Sequence, residues 1–152
     1  MVDWAPRTFV KAGLVWLCGG VTLGLGMAIR PEWIVYRPAH VHMNLLGFVT
    51  MIIFGVGYQI LPRMMGYGLF SPRLAVAHWW LANCGLLLMV TGFALRPSGV
   101  TGAPAVLIAG GLMEAAGAYL FAFNLFRSMK KPRELRLPGQ GSTRLPVAAS
   151  PD

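Results

Sequence analysis

The residues of this chain best able to bind a metal are its three histidines, and all of them lie in apolar segments. His40 and His42 stand at the beginning of the second such segment, and His78 stands near the beginning of the third. Side chains of this kind are costly within a membrane and usually serve a function there. Because a neutral imidazole offers one ring nitrogen to a metal, the closely spaced pair is the first candidate for a site.

The spacing of His40 and His42 limits the kind of site that they can form. Each residue of an α-helix turns the chain by about 100°, so residues two apart project about 200° from each other. The two rings cannot easily share one metal ion, but they can serve two sites on opposite flanks of a helix, each as an axial ligand of haem iron. The spacing leaves a second interpretation open, in which both histidines only form hydrogen bonds at headgroup depth.

Other polar side chains also lie within the apolar segments. His78 is separated from the pair by almost the full membrane thickness, and we expect it to pack or hydrogen bond near Tyr58. Glu114 lies about ten residues into the fourth segment, close to mid-bilayer at about 1.5 Å per residue. Its carboxyl must face protein or water, so it is a candidate proton relay or an inter-helix hydrogen bond. The remaining side chains of this kind are expected to hold helices together: Asn44, Asn83 and Asn124.

Four apolar segments must position these side chains. The chain has 152 residues, of which 56% are hydrophobic and 12% are charged, and its mean hydropathy is +0.61. A helix needs about 20 apolar residues to cross a bilayer, and the four segments reach that length. We therefore predict an all-α fold: a polytopic membrane protein with a four-helix transmembrane domain over residues 1–129 and spans at about 9–29, 39–61, 74–95 and 104–126.

The positive charges predict an orientation and exclude one class of function. Only three of the thirteen Lys and Arg residues fall on the side away from the termini: Arg30, Arg37 and Arg96. Since the more positive side faces the cytoplasm, we predict cytoplasmic termini and a basic, flexible cytoplasmic tail at 130–152. The net charge of +8 is spread over loop ends and this tail, without the continuous basic face that a nucleic-acid-binding protein needs.

Small residues recur in the first and fourth segments. Gly20 and Gly24 form a GxxxG pair, which allows two helices to approach closely in lipid. The pattern is compatible with packing inside one bundle and equally with an interface between subunits.

The segment that begins at the histidine pair resembles subunit I, the catalytic subunit, of the haem-copper oxidases. The likeness is carried by HVHMNLLGFV at residues 40–49, IFGVGY at 53–58 and LPR at 61–63, while AHWWLANCG at residues 77–85 resembles the start of the next helix. It is closest to the cbb-type oxidases and the related nitric oxide reductases. About sixty residues are covered, and the first and fourth segments match only in length and apolarity.

The resemblance implies roles for the histidines. In that family a His-x-His pair ligates two haems, one on each side of a helix; His40 corresponds to the histidine facing the active-site haem and His42 to the one facing the low-spin haem. The histidine at the position of His78 is not generally a ligand. The family's subunit has twelve helices in three groups of four, and its copper ligands come from groups that have no counterpart here. The resemblance therefore implies haem b and does not support copper.

One chain offers each haem only one histidine of the pair. Three copies would restore twelve helices and could form three sites, each using His40 of one subunit and His42 of the next. We therefore expect a homotrimeric cytochrome of a bacterial inner (cytoplasmic) membrane that transfers electrons through bis-histidine haem b to or from respiratory partners. Two other classes stay open: an enzyme that reduces oxygen or nitric oxide at an open haem site with help from Glu114, and a haem-free accessory or assembly protein of a respiratory complex.

Overall fold

The computed structural model describes residues 4–64, 66 and 68–129, and four long helices account for nearly all of them. The predicted tail at 130–152 lies outside the described residues. The helices, here named first to fourth in chain order, are Trp4–Ile29, Pro31–Met64, Pro72–Leu95 and Ala103–Ser128. All four are long and apolar enough to cross a membrane. The described part of the chain contains no strand, so the prediction of an all-α, four-helix membrane protein is confirmed.

The second helix changes its winding along its length. It begins as a 3-10 helix and continues through an α-helical, a π-helical and a second α-helical segment: Pro31–Tyr36, Arg37–His42, Met43–Thr50 and Met51–Met64. The helix starts earlier than the apolar segment predicts. Pro31 and Pro38 do not prevent this, because each lies in the first turn of its segment, where the N–H that proline lacks is not needed for a hydrogen bond within that segment. Pro62 lies inside the last turn of the helix instead of beyond it. Its ring removes one backbone hydrogen bond, but the helix ends within a turn of that position.

The ends of the third helix follow from local turn chemistry. Ser71 precedes the helix in an extended conformation, and its hydroxyl accepts a hydrogen bond from the backbone N–H of Leu74 at 3.3 Å. Pro72 occupies the first helical position, where its fixed φ suits the helix. A short 3-10 turn, Arg96–Ser98, extends the other end and stops at Gly99, whose φ of 70° is a conformation that favours glycine.

Glycines set the close approach of the third and fourth helices. A β-carbon placed on Gly110 would lie 2.6 Å from the carbonyl oxygen of Gly85, and one placed on Gly92 would lie 3.0 Å from the backbone of Leu107. These contacts involve main chain on both sides, so neither helix can yield by moving a side chain. The two backbones therefore meet along a seam that only small residues permit.

The first and second helices pack in the same way. Each glycine on this face of the first helix meets a side chain of the second: Gly19 meets Met43, Gly20 meets Asn44, Gly24 meets His40 and Gly26 meets Trp33. The GxxxG pair of Gly20 and Gly24 thus packs within the chain, which decides between the two possibilities that the pattern allowed. The described residues of the first and second helices form an antiparallel pair along this glycine face.

Two intramembrane asparagines join helices, as predicted. The side chain of Asn124 accepts a hydrogen bond from the Ser71 N–H at 3.0 Å and donates one to the Ser71 carbonyl at 2.9 Å. This pair of hydrogen bonds ties the turn before the third helix to the end of the fourth. Asn83 accepts from the indole N–H of Trp16 at 3.1 Å and thereby joins the third helix to the first.

The outward faces of the bundle are apolar. In the first and fourth helices only 11% of the most apolar stretch is buried inside the chain. Large side chains such as Val15 and Leu112 are 72% and 67% exposed. A surface of this kind is stable in hydrocarbon, and the chain is an integral membrane protein.

Adjacent glycines of the fourth helix provide a test of the seam. We expect Gly110→Ala to destabilise the bundle by about 1–3 kcal/mol, because its methyl group overpacks main chain on the third helix. The matched control is Gly111→Ala, since nothing lies within 4 Å of a β-carbon there. Unfolding of the purified protein in detergent should show a lower midpoint for the first variant and an equal or higher midpoint for the second. Equal loss in both variants would contradict the seam.

Candidate haem site at the histidine pair

His40 and His42 occupy the last turn of the α-helical segment Arg37–His42, directly before the winding of the second helix changes to π. Both rings are half-buried within the chain. A π-helical segment is uncommon and is found frequently at functional sites. The pair therefore lies where the backbone of the second helix departs from regular geometry.

The ring of His40 packs against the first helix. Its Nδ1 lies 2.8 Å from the carbonyl oxygen of Gly20. The ring also covers Gly24, since a β-carbon on that residue would lie 2.7 Å from Cε1 of His40. The glycine spacing of the first helix thus creates the space for this imidazole and supplies its hydrogen-bond partner.

The ring of His42 is held differently. Its Nδ1 lies 2.8 Å from the carbonyl oxygen of Pro38, one turn earlier in the same helix. The imidazole packs on the third helix, with its centroid 4.8 Å from that of the Phe93 ring. As the spacing predicts, the two rings face different neighbours on different flanks of the second helix.

The partners of Nδ1 determine which ring nitrogen is available for a metal. A carbonyl oxygen only accepts hydrogen bonds, so Nδ1 of His40 and of His42 must each carry the proton in the neutral ring. The lone pair then resides on Nε2, and neither Nε2 forms a hydrogen bond with any described residue. Metal-bound histidines commonly show this arrangement, with Nδ1–H on a backbone carbonyl and Nε2 toward the metal. The two residues therefore fit axial ligation of haem iron.

Asn44 contacts His40 twice. Its Nδ2 donates to the backbone carbonyl of His40 at 2.8 Å and lies 3.3 Å from Nδ1 of the ring. The sequence identified Asn44 only as a residue that joins helices. Its position four residues after His40, one turn along the helix, is the signal that could have indicated this contact.

An apolar groove of about 360 Å³ opens near this end of the bundle. It is lined from three helices: Leu23 of the first, Trp33, Tyr36 and Ala39 of the second, and Val90 and Ala94 of the third. Ala39 and Ala94 are next in sequence to His40 and to Phe93. Neither histidine of the pair lines the groove.

His78 is not part of this site. It is completely buried, its Nδ1 shares a hydrogen bond with the Tyr58 hydroxyl at 3.0 Å, and it is surrounded by the rings of Phe9, Phe54 and Phe121. Its Nε2 is enclosed and has no hydrogen-bond partner among the described residues. The prediction that His78 packs and forms a hydrogen bond near Tyr58 is therefore confirmed.

Glu114 is also separate from the pair. It lies on the seam of the third and fourth helices opposite Gly85, whereas His42 is level with Phe93, about 12 Å further along the third helix at 1.5 Å per residue. One of its carboxyl oxygens is enclosed and has no partner among the described residues. The structure thus brings Asn44 into contact with His40, and it does not bring Glu114 to the histidine pair.

The fold and the site define a polytopic membrane protein with a pair of haem-compatible histidines on one helix. Over residues 9–131 the chain matches the family described as Cytochrome C and Quinol oxidase polypeptide I. It belongs to that family, as the resemblance of residues 40–63 predicted.

Individual relatives agree with the family assignment. The chain is 41% identical over 58 residues to cytochrome c oxidase subunit 1 of Rhodobacter capsulatus. This alignment covers 38% of this chain and 10% of that protein. It is 26% identical over 147 residues to the bacteroid cytochrome c oxidase subunit 1 homolog of Bradyrhizobium diazoefficiens, covering 79% of this chain and 25% of the relative. A homolog from Agrobacterium tumefaciens is 36% identical over 58 residues, covering 38% of this chain and 10% of that protein. The chain thus spans a quarter or less of the length of these relatives.

The Tyr58–His78 bond gives a prediction about the core. Tyr58→Phe leaves Nδ1 of His78 buried without a partner, and we expect this to cost about 1–3 kcal/mol of stability. The matched control is Tyr119→Phe, because Tyr119 is 77% exposed on the outer surface. Thermal unfolding in detergent should separate the two variants. If Tyr58→Phe unfolds at the wild-type temperature, the Tyr58–His78 hydrogen bond does not contribute to stability.

Proposed function

We propose that this chain forms a homotrimeric membrane cytochrome in which haem b is held by His40 of one subunit and His42 of the next. The observation that carries the proposal is the hydrogen bonding of the pair: both Nδ1 atoms are engaged by backbone carbonyls, and both Nε2 atoms are left for a ligand. If the pair served only to form interfacial hydrogen bonds, Nε2 would not need to be left without a partner in both rings.

Two subunits are needed because the two rings lie on different flanks. His40 packs on Gly20 and Gly24, and His42 packs on Phe93, so one chain presents the rings to different sides. A haem with two axial imidazoles then takes its second ligand from another copy. Cyclic symmetry satisfies every copy in turn, since each subunit gives His40 to one neighbour and His42 to the other.

The family resemblance supports three copies. The relative from Bradyrhizobium diazoefficiens aligns with most of this chain but is covered by it only to 25%, so that protein contains several times more polypeptide than one unit. Three four-helix units give the twelve helices that the family resemblance implies. We infer that three copies of this chain take the place of three consecutive units in the longer proteins.

Ligation by two histidines favours electron transfer over catalysis. Bound haem would supply a one-electron couple, and ligation by both His40 and His42 would leave no open position for oxygen or nitric oxide. The carbonyls of Gly20 and Pro38 orient the two imidazoles and increase their basicity as ligands. The chain itself thus binds and orients the cofactor.

The charge distribution supports a location for the site. The pair lies at the end of the bundle that carries Arg30, Arg37 and Arg96, which is the less positive end of the whole sequence. By the positive-inside rule this end faces away from the cytoplasm. We infer that the haems lie near the outer face of a bacterial inner membrane, where they can exchange electrons with respiratory partners.

Visible spectroscopy and complementation test the proposal. Wild type purified from cells supplied with haem precursor should show a low-spin b-type spectrum with one haem per chain. His40→Ala and His42→Ala should each lose this spectrum, because every site in either homotrimer lacks one ligand. Co-expression of the two variants with different tags should restore part of it in complexes that carry both tags, since His40 of one chain then meets His42 of the other.

Three results would contradict the proposal. A folded wild type without a Soret band excludes a cytochrome. A high-spin spectrum with rapid carbon monoxide binding indicates an open iron and therefore the enzyme class. A lack of restored haem in mixed complexes shows that the two ligands do not come from neighbouring subunits. His78→Phe serves as the control, because it removes a histidine that lies outside the site and should leave the haem content unchanged.

A further inference from the structure

We infer that Asn44 is a positioning residue that holds the His40 imidazole in the orientation needed to bind haem. The inference rests on the proposed function and concerns the same site. Asn44 does not offer a ligand of its own; it acts through the ring of His40.

Three contacts place Asn44 between His40 and the first helix. Its Nδ2 donates to the His40 carbonyl at 2.8 Å and lies 3.3 Å from the ring nitrogen Nδ1. Its amide also covers Gly20, since a β-carbon added there would lie 2.5 Å from Nδ2 and 2.9 Å from Oδ1. The amide therefore touches the backbone of His40, its ring and the residue whose carbonyl the ring binds.

These contacts restrict the ring. Nδ1 of His40 can give its single proton to only one acceptor, and the Gly20 carbonyl at 2.8 Å is that acceptor. The Asn44 amide fills the space next to this bond, so the imidazole cannot turn toward the amide without displacing it. The bond to the His40 carbonyl in turn fixes the amide itself.

The two histidines differ in this respect. Nδ1 of His42 binds Pro38 in its own helix, so its orientation is set locally. Nδ1 of His40 binds another helix, and its geometry depends on how closely the first and second helices approach. Asn44 stands at this approach, in the second residue of the π-helical segment Met43–Thr50. His40 is therefore the ligand that needs a positioning residue.

Two variants remove the amide from the ring by different routes. Asn44→Ala deletes it. Gly20→Ala keeps Asn44 but adds a methyl group where the amide now lies. In both we expect haem to leave the purified trimer about 10-fold faster or more when apomyoglobin is present as acceptor, because outer-shell partners of a metal-bound histidine typically contribute that much to affinity. The low-spin EPR signal should also shift, since the ring plane is no longer held.

Matched controls separate positioning from general stability. Asn83→Ala removes another intramembrane asparagine, one that bonds Trp16 and the Trp79 carbonyl. Gly13→Ala adds a methyl group to the same helix at ordinary contact distance, 3.4 Å from Met51 and Ile52. Both controls should release haem at the wild-type rate with an unchanged EPR signal, even where Asn83→Ala lowers the unfolding temperature.

The outcomes distinguish this inference from the proposed function. If the wild type binds haem and His40→Ala loses it, but Asn44→Ala and Gly20→Ala show wild-type release and EPR, Asn44 has no positioning role. Equal acceleration in Asn83→Ala also overturns the inference, because it shows a loss of bundle stability. If the wild type binds no haem, the proposed function itself fails. Faster release with a shifted EPR signal in either amide variant, and in neither control, supports the inference.

Discussion

Inside the hydrocarbon core of a bilayer a polar side chain finds no water, so it is stabilised when another part of the protein supplies its hydrogen-bond partner. Asn124 bonds both backbone groups of Ser71, and Asn83 bonds the Trp16 indole. The same constraint acts on the histidines, whose Nδ1 atoms turn to backbone carbonyls. Because each ring satisfies one nitrogen in this way, the other nitrogen is left to define the chemistry of the site.

This constraint also explains why the site depends on glycine. A helix carbonyl is normally screened by side chains, and in the first helix the absence of side chains at Gly20 and Gly24 lets the His40 ring reach main chain. The close approach that stabilises the bundle in lipid is thus the feature that orients the His40 ring. Helix packing and the orientation of the His40 ring therefore depend on the same contacts.

The three histidines show how far surroundings decide the role of a side chain. His78 is sealed by Phe9, Phe54 and Phe121, so its second nitrogen faces the interior of the bundle. His40 and His42 lie half-buried at the flanks of the second helix. The three share a residue type and a membrane environment, yet only His78 is completely buried.

The sequence by itself determined the four membrane helices, the divergence of His40 and His42 and the hydrogen-bonding role of His78, and its motif led to the correct family. These features depend on hydropathy and on helical periodicity, which are local properties of the chain. Only the tertiary structure decided that Gly20 and Gly24 pack within the chain, that the second helix is π-helical over Met43–Thr50, and that Asn44 contacts the His40 ring. The partner of His40 lies 20 residues away, and no local pattern specifies which carbonyl a ring will reach once two helices have come together.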